Sequence, residues 1–213
     1  MSHDLKSPLT TIRAYTEALL EGVAPDEPTR QRYLQTIYAR ETDLEALVNR
    51  LFELAKLGAS EYPMHLKALP LQETLHHILN TCDHEGISVD CDAVMDCTVL
   101  ADGELLQRVL NNLVDNSRKY GANALSLGSA CEEDTVTLWM EDNGPGVPEE
   151  QLPCLFEPFY RGDAARTKPG AGSGLGLAVV KRSMQQMGGS VRAENAPGGG
   201  LRIVMQLPMA KEG

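Results

Sequence analysis

The chain has 213 residues, of which 42% are hydrophobic, and its formal net charge is -11. This composition is that of an ordinary globular protein with a sizeable core. The negative charge argues against nucleic acid or an anionic membrane surface as a partner for the whole molecule, so a phosphate site must be built locally. No apolar run approaches the roughly 18 residues that a membrane-spanning helix requires.

Cysteine and histidine are too scattered to predict a disulfide framework or a zinc site. The five cysteines form no Cys-x-x-Cys pair and stand at Cys82, Cys91, Cys97, Cys131 and Cys154. This pattern is typical of reduced thiols in a cytosolic setting. His76, His77 and His84 lie close together, but no cysteine or carboxylate pattern completes a zinc site around them, so we expect them on a helix surface.

The first sixty residues predict two amphipathic helices joined by a short loop. Apolar residues recur at spacings of three and four along the first helix, with Thr16 as the polar break, at Leu5, Leu9, Ile12 and Leu19. Gly22 and the segment 25–28 end this helix, and the second helix runs from about 29 to 57. Two helices alone cannot enclose a core. We therefore expect an antiparallel hairpin that dimerises into a four-helix bundle, with packing on the following domain as the alternative.

A histidine and a carboxylate stand at the start of the first helix, where His3 precedes Asp4. An exposed imidazole beside a carboxylate is a competent nucleophile, because the carboxylate can orient the ring and take its proton. The alternative is an ordinary solvated helix face. A bundle helix would also be expected to extend upstream of His3, so we expect the chain to be a fragment of a longer protein.

The rest of the chain predicts a two-layer α/β sandwich with a largely antiparallel sheet. Residues 1–58 form the predicted hairpin domain, 59–66 a linker and 67–213 the second domain. Period-two patterns and turn residues predict strands at 66–71, 87–91, 98–100, 124–131, 135–141, 190–194 and 201–207. Helical periodicity predicts helices at 72–81, 104–119 and 175–187.

Two asparagines share one face of the helix predicted at 104–119. Asn112 and Asn116 are four residues apart on a face that also carries leucine and valine, where an unbonded carboxamide is costly. Their carbonyl oxygens are ligands that Mg²⁺ accepts, and Lys119 follows within reach of a phosphate. Hydrogen bonds to a neighbouring loop are the alternative.

Two further segments combine chemistry with unusual backbone composition. Asp142 ends a strand and is followed by Gly144 and Gly146, which suits a carboxylate held against a planar group such as an exocyclic amine. A tight turn capped by aspartate is the alternative. The segment 155–161 joins three aromatic residues to Arg161, which can reach over phosphates, and the alternative is a packed hydrophobic plug. We expect the small and charged residues after it, at 163–172, to form a mobile lid.

A glycine-rich stretch, residues 170–177, reads Gly-Ala-Gly-Ser-Gly-Leu-Gly-Leu and precedes a predicted helix. Glycine at this density lets the backbone approach a bulky anion, and the helix start adds amide groups and a positive dipole end. The stretch fits neither a Walker loop nor a dinucleotide fingerprint. A phosphate-cradling loop and a flexible surface loop are equally good interpretations of these residues alone.

Taken in order, these segments resemble the transmitter core of a sensor histidine kinase. The matching boxes are the phosphoacceptor box at 3–9, the asparagine box at 112–120, the first glycine box at 142–146, the phenylalanine box at 156–161 and the second glycine box at 172–177. Their order and spacing resemble those of the family across nearly the whole chain. The resemblance implies a dimerisation and phosphoacceptor hairpin followed by a Bergerat-type ATP-binding domain.

The resemblance also implies roles for individual residues. Asn116, with Asn112 beside it, would bind Mg²⁺, Lys119 and Arg161 would contact phosphates, and Asp142 would bind the adenine amine of ATP. The remaining nucleotide-binding residues that it implies are Tyr120, Gly144, Gly146, Gly172, Ser173, Gly174, Leu175 and Gly176.

The implied reaction is transfer of the γ-phosphoryl group to a nitrogen of His3, with Asp4 as the base, and then to an aspartate of a response-regulator receiver domain. Asp4 stands where glutamate is more frequent, and Ser7 stands where threonine or asparagine usually assists dephosphorylation of the partner. The resemblance further implies a cytoplasmic homodimer, attached to a membrane only through segments absent from this chain. A nucleotide-binding dimerisation module without catalysis is the alternative, whereas a gyrase-like ATPase would have no use for the His3 hairpin.

Overall fold

A computed structural model describes residues 2–58, 63–82, 86–162 and 173–210, with only the backbone described at 2–5, 50, 53 and 58. The chain divides into two compact units, Met1–Glu53 and Leu54–Gly213. None of the helices in the described ranges combines the length and the apolar character that crossing a bilayer requires. The domain limits 1–58, 59–66 and 67–213 stay a prediction.

The first unit is a helical hairpin, as the periodicity predicts. Helix α1 spans Ser2–Leu20 and continues through Pro8, and α2 spans Glu27–Gly58. Asp26 caps the start of α2, since its Oδ1 accepts a hydrogen bond from the Thr29 amide at 2.8 Å. The hydrogen bonds from the Thr29 amide and hydroxyl lower the pKa of the Asp26 carboxyl. The rings of Tyr15 and Tyr33 meet edge to face at 4.8 Å, which places the two helices side by side.

The hairpin buries little of its own apolar surface. Among the described side chains of the first unit, which ends at Glu53, only Ala24 and Leu47 are buried. Several large apolar residues of the two helices are at least half exposed, namely Leu9, Leu20, Leu34, Tyr38 and Phe52. Two helices cannot cover their own apolar stripes, so this exposure follows from the architecture.

The second unit is the predicted two-layer α/β sandwich. Its elements after α2 are β1 (Lys67–Pro70), α3 (Leu71–Thr81), β2 (Ser88–Ala93), β3 (Thr98–Ala101), α4 (Gly103–Lys119), β4 (Ala124–Cys131), β5 (Thr135–Asp142), a 3₁₀-helix (Glu149–Cys154), α5 (Gly176–Gln186), β6 (Ser190–Asn195) and β7 (Leu201–Pro208). Five strands form one sheet in the order β2-β4-β5-β7-β6, and β1 pairs with β3 in a separate ribbon. Only the β2–β4 pairing is parallel among these strands, which confirms the largely antiparallel sheet.

The helices α4 and α5 pack against each other and on one face of the sheet. Asp102 starts α4, because its Oδ1 accepts hydrogen bonds from the amides of Glu104 at 3.0 Å and Leu105 at 3.2 Å. The buried face of α4 carries apolar residues at helical spacing, including Leu105, Val109 and Leu113. Alternate residues of β5 are buried against it. The core therefore holds α4 rigidly against the sheet, and α4 carries the two asparagines of interest.

Candidate nucleotide-binding site

The carboxylate of Asp142 is held by donors from three parts of the second unit. Its Oδ1 accepts hydrogen bonds from the Gly144 amide at 2.9 Å and from the Leu201 amide at 3.1 Å. Its Oδ2 accepts one from the Ser117 hydroxyl at 3.2 Å, and Ser117 itself is buried. A carboxylate oxygen accepts two hydrogen bonds, so Oδ2 retains capacity beyond the Ser117 contact for a ligand donor. The tight-turn interpretation of Asp142 accounts for the Gly144 contact alone.

Three glycines allow the backbone to close around this carboxylate. A Cβ on Gly144 would lie 2.9 Å from Asp142 Oδ1, and one on Gly200 would overlap the Asp142 carbonyl oxygen. Gly146 and Gly200 adopt φ values of +70° and +97°, which side chains disfavour. Gly144 and Gly146 were predicted as site residues. Gly200 was not, although the triple glycine before β7 was a usable signal.

Hydrogen bonds of two asparagine side chains hold the segment after Asp142 against neighbouring strands. Asn195 Oδ1 accepts a hydrogen bond from the Val147 amide at 2.9 Å, and its Nδ2 donates to the Val147 carbonyl at 2.7 Å. Asn143 Oδ1 accepts from the amides of Asn123 and Ala124, both at 3.0 Å. A cavity of about 390 Å³ runs beside this segment and is lined in part by Val147 and Asn195. Sequence reasoning missed Asn195, which lies directly after the strand predicted at 190–194.

Asn112 and Asn116 lie on α4 beside the start of α5. Asn112 Nδ2 donates to the Arg108 carbonyl at 2.8 Å, so its amide hydrogen is bonded within its own helix. Its Oδ1 faces Gly176, where a Cβ would lie only 3.1 Å away. Asn116 follows one turn later, and both asparagines are half-buried. This arrangement leaves the Asn112 carbonyl oxygen at the amino-terminal end of α5, where helix amides favour anions.

The two asparagine side chains on α4 suit a hard cation that takes its remaining ligands from other oxygen atoms. No group of three or more histidine, cysteine, aspartate or glutamate side chains in the described ranges is arranged to hold a metal ion. The amide oxygens of Asn112 and Asn116 are the neutral oxygen ligands that Mg²⁺ accepts. Mg²⁺ usually keeps several waters and binds phosphate oxygens as well, so a site with few protein ligands suits it.

Lys119 and Tyr120 lie at the carboxyl end of α4, and both are partly exposed to solvent. Lys119 Nζ lies 3.8 Å from Asp115 Oδ2, so its ammonium group is close to a carboxylate of the same helix. Gly121, with a φ of +88°, ends the helix after Tyr120. Lys119 therefore lies near Asn116, at the carboxyl end of α4. A bound phosphate would compete with the Asp115 carboxylate for the Lys119 ammonium group.

The segments on either side of the predicted lid are hydrogen-bonded to each other. The Phe159 amide donates to the Gly174 carbonyl at 2.9 Å, and a Cβ on Gly174 would lie 2.7 Å from the Tyr160 carbonyl oxygen. Phe159 has a φ of +65°, an uncommon value for a bulky residue and one found mainly at constrained positions. Phe156 is buried as an anchor, and Arg161 is half-buried beyond it. The predicted lid, 163–172, and with it Gly172, lies outside the described residues.

The second glycine box continues into α5. Ser173 is half-buried, Gly174 has a φ of +70°, and Leu175 is fully buried. Gly176 begins α5 opposite Asn112. Ser117 joins the two halves of the site, because it follows Asn116 on α4 and donates to Asp142 on β5. The structure thus brings the asparagine box, the first glycine box and the second glycine box to one place.

The phosphoacceptor residues predicted from the sequence lie on α1. For His3 and Asp4 the structure describes the backbone alone. Ser7 is exposed on the helix surface. The Ser7 carbonyl accepts a hydrogen bond from the Thr11 hydroxyl at 3.1 Å. The catalytic roles of His3, Asp4 and Ser7 stay predictions.

Comparison with known proteins identifies both units. Residues 101–211 match the family model described as histidine kinase-, DNA gyrase B- and HSP90-like ATPase. Residues 1–60 match the His Kinase A (phospho-acceptor) domain. The first of these matches covers more than half of the chain and contains the Asp142 site.

Individual relatives and solved structures agree with the two family matches. The chain is 30% identical over 220 residues to the sensor histidine kinase WalK of Bacillus subtilis, with 100% of this chain and 36% of WalK covered. It is 29% identical over 216 residues to the sensor histidine kinase CpxA of Escherichia coli, covering 99% of this chain and 46% of CpxA. The structure of the Acinetobacter baumannii histidine kinase AdeS shares the fold with a TM-score of 0.71 at 23% identity, covering 98% of both chains. The chain spans less than half the length of these curated relatives, and it belongs to the sensor histidine kinase family, of which it contains the phosphoacceptor helices and the ATP-binding domain.

Proposed function

We propose that this chain transfers the γ-phosphoryl group of ATP to His3 and passes it on to an aspartate of a response-regulator receiver domain. The observation that carries the proposal is the Asp142 carboxylate, which Ser117, Gly144 and Leu201 hold beside the asparagine-bearing helix α4. A carboxylate with a fixed orientation and remaining acceptor capacity suits the exocyclic amine of adenine. The family match to an ATPase domain over residues 101–211 supports the same ligand.

Some of the described residues would bind the adenine base, and others would position the phosphates. Asp142 would accept a hydrogen bond from the adenine amine, while the start of α5 at Gly176 would face the phosphates. Asn116 and Asn112 would hold Mg²⁺, which when bound neutralises phosphate charge. Lys119 and Arg161 would orient the phosphates from the two sides. Catalysis of this kind depends mainly on positioning and electrostatic stabilisation, which the rigid α4 and sheet can supply.

The acceptor group would be supplied by the hairpin. His3 would attack the γ-phosphorus through a ring nitrogen, and Asp4 would orient the ring and take its proton. Ser7 lies one turn after His3 and Asp4 and is exposed, so it could contact a docked receiver domain. The alternative is a dimerising nucleotide-binding module that binds ATP without transferring phosphate.

We also infer a homodimer in the cytoplasm. The half-exposed apolar residues of α1 and α2 that a monomeric hairpin leaves in solvent would be covered in a four-helix bundle. The net charge of -11 disfavours a nucleic acid partner.

Removing the divalent ion tests the proposed activity directly. Incubation with γ-labelled ATP and Mg²⁺ is expected to label the chain with phosphate that is stable in base and labile in acid, and excess EDTA is expected to prevent labelling. The physical reason is that the charged triphosphate is neither neutralised nor oriented without the ion. Binding of ATP with Mg²⁺ but without any label on the chain would favour the non-catalytic module and contradict the proposed kinase.

Substitution of Asn195 tests whether its two contacts to Val147 position the nucleotide site. Asn195→Ala is expected to raise the KM for ATP by about tenfold, since two hydrogen bonds of about 1 kcal/mol each are partly lost, with kcat changed less than threefold. The measurement is initial autophosphorylation rate against ATP concentration. Asn195→Asp, which keeps the acceptor for the Val147 amide but loses the donor, should give an intermediate KM. An unchanged KM for Asn195→Ala would show that the cavity side of this segment does not influence the nucleotide.

A further inference from the structure

An arginine continues the row of polar side chains that α4 carries beside the start of α5. Arg108, Asn112 and Asn116 follow one another at intervals of four residues, so they lie along one side of the helix in steps of about 6 Å. All three side chains are half-buried. The Arg108 carbonyl accepts the hydrogen bond from Asn112 Nδ2 at 2.8 Å, so the two residues occupy adjoining turns in direct contact. Arg108 therefore extends the asparagine row by one turn toward the amino end of α4.

The guanidinium group of Arg108 has no hydrogen-bond or ion-pair partner within the described ranges. Glu104 lies four residues earlier, at the spacing where helical ion pairs form, yet the described side chains of the two residues form no ion pair. In this acidic chain most other described arginines pair with carboxylates, namely Arg13, Arg30, Arg40, Arg118, Arg192 and Arg202. The five N–H donors of Arg108 are thus available to an anionic ligand beside the asparagines.

The position of Arg108 along α4 suits the γ-phosphate end of a nucleoside triphosphate. In the proposed site the base lies at Asp142, whose Oδ2 accepts the hydrogen bond from Ser117 near the carboxyl end of α4. Helix α4 rises about 13.5 Å from Ser117 to Arg108. This rise is comparable with the distance from the adenine amine to the γ-phosphate in an extended ATP molecule. Asn112 lies between the two positions and faces Gly176 at the start of α5.

We propose that Arg108 binds the γ-phosphoryl group of ATP and holds it during transfer. The inference rests on the proposed function and adds a phosphate-binding residue to it. A guanidinium group can donate two parallel hydrogen bonds to two oxygens of one phosphate, which fixes the orientation of the group as well as its position. ADP lacks the γ-phosphate, so Arg108 would contact ATP and leave ADP untouched.

The contact would act on the group whose bonds change in the proposed transfer. The bond between the γ-phosphorus and the oxygen that bridges it to the β-phosphorus breaks, and a bond from the γ-phosphorus to a His3 ring nitrogen forms. The imidazole proton passes to Asp4, and ADP leaves with the bridging oxygen. Arg108 exchanges no proton, because its N–H groups donate to the γ-phosphate oxygens throughout. Charge stabilisation by a positioned arginine is a large part of catalysis in phosphoryl transfer.

The experiment compares ligands with and without a γ-phosphate on the full chain. Calorimetric titration uses Mg²⁺ with ADP and Mg²⁺ with the β,γ-imido analogue of ATP, which is not cleaved. Arg108→Gln is expected to raise the Kd for the imido analogue about tenfold and to leave the Kd for ADP within about twofold. The kcat for autophosphorylation is expected to fall about 10²-fold in the same variant. Arg108→Lys keeps the charge without the planar fork, so its Kd for the imido analogue and its kcat should lie between those of Arg108→Gln and the unchanged chain.

Arg192→Gln is the matched control, because Arg192 is an exposed arginine of β6 paired with Glu194, and it should change neither Kd nor kcat. Equal weakening of both ligands by Arg108→Gln, or no weakening of either, would overturn the role of Arg108, and so would a kcat within threefold of the original. If the unchanged chain bound both ligands but acquired no label from ATP, the kinase would be contradicted. The difference between the imido analogue and ADP would still decide whether Arg108 binds the γ-phosphate.

Discussion

Replacement of His3 by glutamine is expected to abolish phosphorylation of this chain by ATP, with a loss of at least about 10³-fold in labelling rate. A glutamine amide has a similar size and polarity but no nucleophilic ring nitrogen, so the γ-phosphoryl group has no acceptor. His3 belongs to the first unit and Asp142 to the second, so ATP should bind the variant with unchanged affinity. The measurement combines the rate of base-stable labelling with a direct titration of nucleotide binding.

A matched control separates the role of His3 from a general loss of histidine. His77→Gln changes an exposed histidine on α3, away from the residues that hold Asp142, and should label at the rate of the unchanged chain. Labelling of His3→Gln at more than about a tenth of the original rate would place the phosphoryl group on another residue. That result would contradict the phosphoacceptor role while leaving the nucleotide site in place.

The elements that the sequence predicted best are those with strong local periodicity. Strand β4 was predicted with its observed limits, and α4 begins one residue earlier than expected, because most inward positions of each element carry apolar residues at the matching spacing. Asn112 and Asn116 stood out because each places a carboxamide on an apolar helix face, and Asp142 stood out because two glycines follow it at the end of a strand. The short 3₁₀-helix Glu149–Cys154 was not predicted, since Pro148 and Pro153 suppress any longer helical pattern.

The residues that sequence reasoning missed act through partners distant in the chain. Ser117 was not among the predicted site residues, but its hydroxyl donates a hydrogen bond to Asp142 on β5. Asn195 and Gly200 depend on how the β6–β7 turn lies against the segment after Asp142. Register and turn placement are tertiary properties, so composition and spacing carry little information about them.

Replacement of Asp142 by asparagine is expected to weaken ATP binding by about 10²- to 10³-fold, or about 3–4 kcal/mol. The amides of Gly144 and Leu201 require an acceptor, so the new carbonyl oxygen should take the place of Oδ1 and the new NH₂ group that of Oδ2. The Ser117 hydroxyl can rotate to accept a hydrogen bond, which lets the fold survive. In the proposed site, Asp142 Oδ2 accepts a hydrogen bond from the adenine amine. The NH₂ group that replaces Oδ2 in the variant is itself a donor, so it would repel that amine.

The same reversal predicts a change of nucleotide preference. Inosine triphosphate carries a carbonyl oxygen where adenine carries its amine, so it should bind Asp142→Asn better than it binds the unchanged chain. The ratio of the Kd for ATP to the Kd for inosine triphosphate is therefore expected to rise by at least about 10²-fold, as measured by calorimetric titration of both nucleotides with Mg²⁺. Asp92→Asn, a substitution at an exposed residue of β2, should leave this ratio unchanged. Equal loss of affinity for both nucleotides in Asp142→Asn would mean that the carboxylate acts only by holding Gly144 and Leu201 in place. Recognition of the base would then have to come from other groups.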